Sequence, residues 1–455
     1  MAYRYKIAAI FLLGFFIDCI NLFMSAVALP SLASSLHVST AALAWVANAY
    51  ILGLTLIMPL STWLAGRFGN RATLTASMLL FSATLWLCGL AESFAQLMFW
   101  RFLQGVAGGL LIPLGQALTF NLFQGPQRAR ISTLVMAVAL IAPAISPTIG
   151  GLIVDHLSWR WVFYSNIPFA LITAALAWCW IDPARPNRQP RPDIRGLLLI
   201  SAALASLLLG MSLYGGNGSA ALALWCMAAG LLFIILYRRH CRRCRHPIIE
   251  LSLLQSTRLS TSILIYYAIP GMFTGVNLLC LFFLQDRLHF SAGSSGLFMI
   301  IYAIGAFGAM LLGGRSYNRV GARRLFTLGL LLHSAGIATL IGVNAAADLW
   351  LIASAYGLMG IGGGLGANTA QTTALLDFTD HATHKASVIW NINRQLAFSL
   401  GAALLLMIFN LFLKAFETPT AYHLTFASAA LAGLFPLLQM RQMNPAKACH
   451  EPSSD

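Results

Sequence analysis

The sequence predicts an all-α membrane protein, and three observations lead to this fold class. Hydrophobic residues make up 59% of the 455 residues, only 9% are charged, and the mean hydropathy is +0.77. A soluble globular protein carries about 25% charged residues, so lipid rather than water must surround much of this chain. The apolar runs are long and continuous, and in lipid such runs form helices that satisfy their own backbone groups.

Fourteen segments are long enough to be transmembrane helices, because a bilayer core needs roughly 20 apolar residues per helix. We expect the first to be a retained span rather than a cleaved signal peptide, since its apolar run is too long and no small-residue cleavage site precedes the next span. The predicted spans are residues 7–29, 43–65, 72–91, 96–121, 131–154, 161–181, 196–214, 220–237, 260–284, 295–314, 325–342, 349–376, 386–410 and 421–440.

The distribution of basic residues supports this count. With the N-terminus in the cytoplasm, most of the 28 Lys and Arg residues fall in cytoplasmic loops, whereas Arg160, Arg287 and Lys414 lie outside. This asymmetry follows the positive-inside rule and predicts a multi-pass protein of the cytoplasmic (inner) membrane with both termini cytoplasmic. The net charge of +15 then reflects topology and attraction to the lipid bilayer. We expect no nucleic-acid binding, because no soluble basic domain is present.

A repeat predicts two six-helix halves plus two inserted helices between them. The segments RFGNR (67–71) and RVGAR (319–323) share the pattern R-x-G-x-R, and each follows the second span of a half. We expect the N-terminal half at 1–181, the inserted helices with basic cytoplasmic loops at 182–258, and the C-terminal half with a short tail at 259–455. Two parallel halves around a midplane site are a plan of secondary transporters.

Five motifs in order resemble the major facilitator superfamily, specifically its fourteen-span drug:proton antiporter branch. RFLQGVAGG (101–109) resembles the fourth-span motif, and SPTIGG (146–151) resembles the fifth-span antiporter motif with Ser146 at its first glycine. The resemblance implies a secondary active exporter of amphipathic small molecules (multidrug-type), driven by proton antiport with alternating access. The other motifs are WRWVFYSNIP (159–168), HPIIELSLLQSTRLS (246–260) and NINRQLAFSLGAAL (391–404).

The first span departs from the family pattern. Asn21 occupies the position of the family's acid, and Asp18 lies three residues earlier, on the same helix face. Asp18 is also the only acid that the predicted topology leaves near mid-membrane, where an ionisable residue indicates function. We therefore expect Asp18 and Arg101 to couple transport to protons and to interact in one conformation. The alternatives are a structural tie of Asp18 to nearby Asn or Ser groups, and pairing of Arg101 with backbone carbonyls or Gln104.

Other polar and helix-bending residues within or beside the spans complete the predicted site. Arg394 either lines the cavity or braces span thirteen, and Gly66 replaces an acid of the family's second-span loop, which weakens a cytoplasmic latch. The candidates for the substrate cavity are Asn21, Asn48, Tyr50, Gln104, Gln116, Asn368, Gln371, Asn391 and Arg394. The candidates for gating and helix packing are Arg67, Arg71, Pro143, Pro147, Gly150 and Gly151.

We expect no metal, no cofactor and no enzymatic activity. The segment HCRRCRH (240–246) offers His240, Cys241, Cys244 and His246 as ligands in principle, but its arginines oppose a cation, which favours a plain basic loop. The glycine run at 360–370 lacks a preceding strand, which favours close helix packing over nucleotide binding. The expected partners of this monomer are a small-molecule substrate, protons and lipid. Two alternatives stay open: an exporter of one endogenous metabolite, and a membrane sensor that transports nothing.

Overall fold

The structure is a computed structural model that describes residues 2–36, 38, 40–123, 126–183, 192–215, 219–244, 247–290 and 292–440. Within these ranges the chain is helical and has no strand, which confirms the predicted fold class. The helices are α1 (Tyr3–Val27), α2 (Leu29–Leu36), α3 (Thr40–Phe68), α4 (Asn70–Gly89), α5 (Phe94–Leu122), α6 (Pro126–His156), α7 (Trp161–Tyr164), α8 (Ile167–Trp180), α9 (Ile194–Gly215), α10 (Ala220–Cys241), α11 (Thr257–Tyr266), α12 (Met272–Phe282), α13 (Ala292–Val320), α14 (Ala322–Thr339), α15 (Leu349–Thr373), α16 (Asp380–Leu413), α17 (Thr418–Gly433) and α18 (Pro436–Gln439).

The helices match the predicted spans. In the described part of the chain, 13 helices are long and apolar enough to cross a membrane. That set leaves out α6, whose 31 residues cover the predicted fifth span. Most helices run several residues beyond the apolar segments, because helical hydrogen bonding continues after the hydrophobic pattern ends.

Prolines lie at interruptions of three predicted spans. The sixth and the fourteenth spans divide into two helices, and Pro168 and Pro436 stand in the first turn of the second piece, where a missing N–H costs nothing. The ninth span contains π-helical segments at Tyr267–Gly271 and Phe283–Arg287. Pro270 lies inside the first π segment, and its lack of a backbone donor disrupts the regular α-helical ladder there.

The chain divides into two compact units, which we call unit 1 and unit 2. Their boundaries fall within α6 and α16, so each of these helices contributes to both units. Unit 1 comprises Met1–Gly125, Ala137–Leu253 and Phe378–Ser399, and unit 2 comprises Pro126–Met136, Leu254–Asp377 and Leu400–Asp455.

Glycines allow the closest helix contacts within each unit. In unit 1, a Cβ at Gly105 or Gly109 of α5 would clash with the backbone of α3 at Tyr50 and Leu54. In unit 2, the predicted close packing of the run at 360–370 is confirmed, because glycines of α15 lie against the backbone of α13 and α14. Such small-residue contacts bring helix axes together in membranes. In unit 1 they place the side chains of α3 directly beside those of α5.

The two R-x-G-x-R loops have the same backbone conformation. Gly69 has φ 83° and ψ 155° and precedes α4, and Gly321 has φ 83° and ψ 153° and precedes α14. Backbone with these angles is accessible almost only to glycine. The repeat seen in the sequence is therefore a repeat of structure, with one glycine-dependent turn in each unit.

Candidate functional site

Arg101 of α5 is fully buried, and side chains and backbone from three helices satisfy its guanidinium. Nε donates to the carbonyl of Val46 at 3.0 Å, and Nη2 donates to Oγ of Ser25 at 3.2 Å. Nη1 donates to Oδ1 of Asn21 at 2.7 Å and to Oε1 of Gln104 at 2.8 Å. A guanidinium has five N–H donors and cannot lose its charge in a protein. Neutral acceptors therefore hold this cation in place.

Asp18 of α1 is 8% exposed, and its partner is a tyrosine rather than an arginine. The hydroxyl of Tyr50, on α3, donates to Oδ1 of Asp18. The ring of the same tyrosine lies beside Arg101, whose Cζ is 4.7 Å from the ring centroid, a cation–π distance. Among the described side chains Arg101 makes no ion pair with Asp18, so Tyr50 contacts both charged groups in this conformation.

A second buried arginine acts on the same carboxylate. Arg394 of α16 is 8% exposed, and its Cζ lies 5.0 Å from the ring centroid of Phe15 on α1. The positive charges of Arg394 and Arg101 both attract the carboxylate of Asp18. Sequence reasoning placed Arg394 in the cavity or as a brace and missed its relation to Asp18. Two guanidiniums beside a single carboxylate also make this group unsuited to a metal ion.

Gly108 of α5 lies directly against the pair formed by Asp18 and Tyr50. A Cβ at this position would be 2.9 Å from the Tyr50 hydroxyl and 3.2 Å from Oδ1 of Asp18. A methyl group would therefore crowd both polar atoms. This glycine belongs to the motif RFLQGVAGG, but the motif alone did not predict its contact with Asp18 and Tyr50.

A second buried polar group in unit 1 joins α5 to α16. Oε1 of Gln116 accepts a hydrogen bond from Nδ2 of Asn391 and lies 3.1 Å from Oγ of Ser387. Nε2 of Gln116 and Oδ1 of Asn391 are buried and have no partner within the described part of the chain. The two predicted cavity residues are thus adjacent, and each keeps one polar atom available.

The remaining cavity candidates are spread over both units. Asn48 lies half-buried on α3 in unit 1, whereas Asn368 and Gln371 lie buried on α15 in unit 2. Nδ2 of Asn368 is 3.2 Å from Oγ1 of Thr133 and 3.2 Å from the carbonyl of Met310. The structure therefore brings most of the predicted polar residues together in unit 1 and leaves these two within unit 2.

The gating and packing candidates have separate surroundings. Arg67 is exposed at the end of α3, and Arg71 stacks over Trp178, with Cζ 4.0 Å from the ring centroid. A Cβ at Gly150 would meet Met24 of α1 at ordinary contact distance.

The close packing expected at Gly151 is not found, because a Cβ there would meet no atom within 4 Å among the described residues. This glycine points away from the neighbour that Gly150 contacts. The side chains of Pro143 and Pro147 lie outside the part of the chain that the structure describes, although their backbone is helical.

Comparisons with known proteins agree with this architecture. The sequence profile of the Major Facilitator Superfamily matches residues 11–402 and 262–454. The chain is 31% identical over 371 residues to Multidrug resistance protein B homolog of Mycobacterium tuberculosis, covering 80% of this chain and 68% of the relative. It is 27% identical over 442 residues to Putative multidrug resistance protein MdtD of Pectobacterium atrosepticum, covering 95% and 94%. The solved structure of the human organic anion transporter MFSD10 has a TM-score of 0.68 at 13% identity, covering 97% of this chain and 100% of that one, a likeness of fold.

Proposed function

The chain belongs to the major facilitator superfamily, a family of membrane transporters rather than enzymes, and on that premise we propose that it is a proton-driven exporter of amphipathic small molecules. The names of its relatives support a multidrug-type substrate range. We place it in the fourteen-span drug:proton antiporter branch, as a monomer of the inner membrane with cytoplasmic termini. In this proposal the halves 1–181 and 259–455 alternate access to the substrate, and 182–258 is the insert.

The observation that carries the proposal is the buried carboxylate of Asp18, which lies among Tyr50, Arg101 and Arg394. A nearby cation favours the ionised form of a buried carboxylate, and burial away from cations favours the protonated form. Any movement of α1 relative to α5 or α16 changes the distance from Asp18 to its arginines. Such a movement therefore changes how strongly Asp18 holds a proton, which is the physical requirement for coupling.

Tyr50 links the two charged groups in this mechanism. While Asp18 is ionised, it accepts a hydrogen bond from the hydroxyl of Tyr50, and the ring of the tyrosine stays beside Arg101. Protonation of Asp18 removes the negative charge that orients this hydroxyl and attracts both arginines. The contacts of α3 and α5 with α1 then weaken together, which releases the helices for the change of access.

Unpaired polar atoms indicate where a substrate is held. Asn21, Gln104 and Gln116 each keep a buried amide nitrogen without a partner in the described structure, and Asn391 keeps an amide oxygen. Buried polar atoms are normally hydrogen-bonded, so these are the groups that a substrate would satisfy. Since no second acid lies beside Asp18 among the described residues, we expect neutral, zwitterionic, monocationic or anionic substrates rather than dications.

The test is uptake of diverse dyes and antibiotics into proteoliposomes with an acidic lumen. We expect the wild-type protein to accumulate substrates against their gradient, because protons leaving the lumen down their own gradient drive substrate into it. The variant Asp18→Asn should lose uphill uptake by more than about tenfold, a barrier difference of roughly 1.4 kcal/mol, and keep measurable downhill exchange. Asp348→Asn is the matched control, because Asp348 is a partly exposed acid just before α15. Its carboxylate accepts hydrogen bonds from the backbone N–H groups of Asn344 and Ala345.

Each outcome selects one function. If Asp18→Asn still accumulates substrate with the wild-type pH dependence, Asp18 is not the coupling acid. If only one compound from a cell extract is transported, the protein is a narrow metabolite exporter. If the wild-type protein transports nothing under the imposed proton gradient, the transport proposal fails and a sensor remains.

A further inference from the structure

A second group of chemically reactive side chains lies far along the chain from Asp18, where α9 begins and α10 ends. Asp193 precedes α9, His240 belongs to the last turn of α10, and Cys244 follows that helix. Nε2 of His240 is 2.8 Å from Oδ1 and 2.9 Å from Oδ2 of Asp193. The ligand atoms of all three residues lie within 4.8 Å of one another.

We propose that Asp193, His240 and Cys244 form a Zn²⁺ site that fastens the beginning of α9 to the end of α10. Imidazole nitrogen, thiolate sulfur and carboxylate oxygen are the three kinds of ligand that zinc accepts. Mg²⁺ and Ca²⁺ prefer oxygen ligands alone, so this donor set selects against them. With three protein ligands, the fourth tetrahedral position is left for water or another side chain.

Hydrogen bonds already hold the ligands in place. The carboxylate of Asp193 is 7% exposed, and its Oδ1 accepts the backbone N–H of Gly196 at 2.8 Å. The backbone N–H of Cys244 donates to the carbonyl of His240 at 3.0 Å, which closes the turn that carries the thiol. Partners of this kind orient metal ligands and typically raise affinity by about 10–100-fold.

Two hydrogen bonds connect α10 to Ile249, which follows this turn in the chain. The hydroxyl of Tyr237 donates to the carbonyl of Ile249 at 2.7 Å and accepts its N–H at 2.9 Å. The turn at Cys244 therefore lies between a residue of α10 and a fixed backbone position.

The geometry requires only a small adjustment. Zinc bonds of about 2.0–2.3 Å place tetrahedral ligands roughly 3.3–3.6 Å apart. The imidazole nitrogen and the carboxylate oxygen are 2.8 Å apart and have to separate slightly, and the sulfur lies within 4.8 Å of both. Binding displaces the thiol proton into solvent and leaves one thiolate and one carboxylate on the ion.

The negative charges of the ligands allow a cation to bind despite the nearby arginines. Arg238, Arg239, Arg242 and Arg243 flank the two ligands of α10 and its following turn and would repel a free cation. The thiolate and the carboxylate together cancel the double charge of zinc, so the loaded site itself is neutral. The carboxylate comes from a residue 47 positions away in sequence, and for that reason the local pattern HCRRCRH did not predict it.

The test measures metal binding by full-length protein that is purified in detergent with a tag free of histidine and is stripped with a chelator. Titration with Co²⁺ should produce a sulfur-to-cobalt charge-transfer band at one equivalent, and Zn²⁺ should abolish that band. Cys244→Ser should remove the band. Asp193→Asn keeps the shape of the side chain and its hydrogen bond with Gly196. It should weaken metal binding at least about tenfold, because loss of a supporting partner alone typically costs about 10–100-fold and Asp193 is itself a ligand.

Two further variants keep the result decisive. Cys241→Ser is the matched control, because Cys241 lies in the same basic segment and its thiol donates to the carbonyl of Ile249 at 3.7 Å. This variant should bind normally. Cys244→His should retain Zn²⁺ and Co²⁺ without the charge-transfer band, which separates loss of sulfur from loss of folding. Stoichiometric binding that survives Cys244→Ser, an equal loss in Cys241→Ser, or no binding at one equivalent would overturn the proposal.

Discussion

Units 1 and 2 share a turn but differ in what they bury. The turns at Gly69 and Gly321 have the same angles, and each begins the third helix of a predicted half. Inside unit 1, Tyr50 contacts both Asp18 and Arg101, and Arg394 lies over Phe15 of the helix that carries Asp18. Inside unit 2, the core is an apolar cluster of side chains that includes Phe283, Tyr356 and Phe426. The turn is common to both units. Arg128 is buried in unit 2 as well, but among the described residues a buried acid is found only in unit 1.

The difference has an energetic basis. Charged groups in a membrane interior are costly, so a chain keeps them only where they are compensated and used. Unit 2 buries His333 in α14, and its Nδ1 lies 3.2 Å from the carbonyl of Met359. This group is one polar ring among aromatic neighbours rather than a charge network. We therefore expect the proton chemistry to belong to unit 1, and four predictions test how the two units differ and what they share.

The largest effect is expected for Arg101→Ala. The substitution leaves the acceptors of Asn21, Gln104 and Val46 without their donor and removes a cation that attracts Asp18. Initial rates of proton-driven uptake should fall at least tenfold, equivalent to about 1.4 kcal/mol.

Arg101→Lys should fall between Ala and wild type, because lysine keeps the charge but not the planar fork. Arg160→Ala is the control, since Arg160 lies outside the membrane spans and donates to the carbonyl of Ala91 at 3.3 Å. Uptake by Arg101→Ala at half the wild-type rate or more would show that this cation is dispensable.

The second prediction compares matched glycines of the two units. A Cβ at Gly108 would lie 2.9 Å from the hydroxyl of Tyr50, and a Cβ at Gly363 would lie 2.8 Å from the hydroxyl of Tyr302. Overpacking of this kind costs about 1–3 kcal/mol, so both alanine variants should melt at lower temperature. Only Gly108→Ala should reduce the ratio of uphill to downhill transport, because only Gly108 also faces Asp18. Equal losses of that ratio in both variants would remove the contrast between the units.

The third prediction tests the similarity of the units rather than their difference. Alanine at Gly69 or Gly321 has to adopt φ 83°, which costs about 1–3 kcal/mol. We expect each substitution to lower the melting temperature of the purified protein in detergent by a similar amount. Gly151→Ala is the control, because Gly151 lies within α6 and a Cβ there would meet no atom within 4 Å among the described residues. It should leave the melting temperature unchanged or raise it slightly, since alanine is favoured over glycine inside a helix. Sensitivity at only one of the two turns would contradict their structural equivalence.

The smallest effect is expected for His333→Leu in unit 2. Leucine is similar in size to histidine and removes one hydrogen bond of the imidazole. The free energy of unfolding should therefore change by no more than about 1 kcal/mol. The pH profile of transport should match that of the wild-type protein, measured as initial uptake against lumenal pH. A shifted pH profile would identify a proton-binding group in unit 2 and would contradict the assignment of proton coupling to unit 1.

The sequence predicted the helices well because the surrounding lipid dictates their composition and length. A span needs a long apolar run in any membrane protein, so its position can be seen without knowledge of its neighbours. Interruptions such as the π segment at Tyr267–Gly271 were missed, since they depend on local hydrogen bonding around Pro270. The hydropathy pattern continues unbroken across that position.

The contacts of the site were predicted less completely, because they join residues that are distant in sequence. Asp18, Arg101 and Tyr50 were all candidates, yet the pairing of Asp18 with Tyr50 spans 32 positions and had no local signal. Arg101 contacts Asn21, the residue at the family's acid position, across 80 positions. The resemblance identified that position, but only the structure shows that an amide has kept the contact with arginine while the acid contacts tyrosine.

The partners of Arg101 also bear on how the chain is made. Asn21 and Ser25 belong to α1 and Val46 to α3, and these helices are synthesised before α5, which also carries Gln104. Three of the four acceptors of the guanidinium therefore precede α5 in the order of synthesis, and Gln104 is made with it. The insertion cost of about 2.5–3.5 kcal/mol for an arginine at a helix centre is then met by helices made earlier. Order of synthesis makes a membrane-embedded arginine tolerable in this protein.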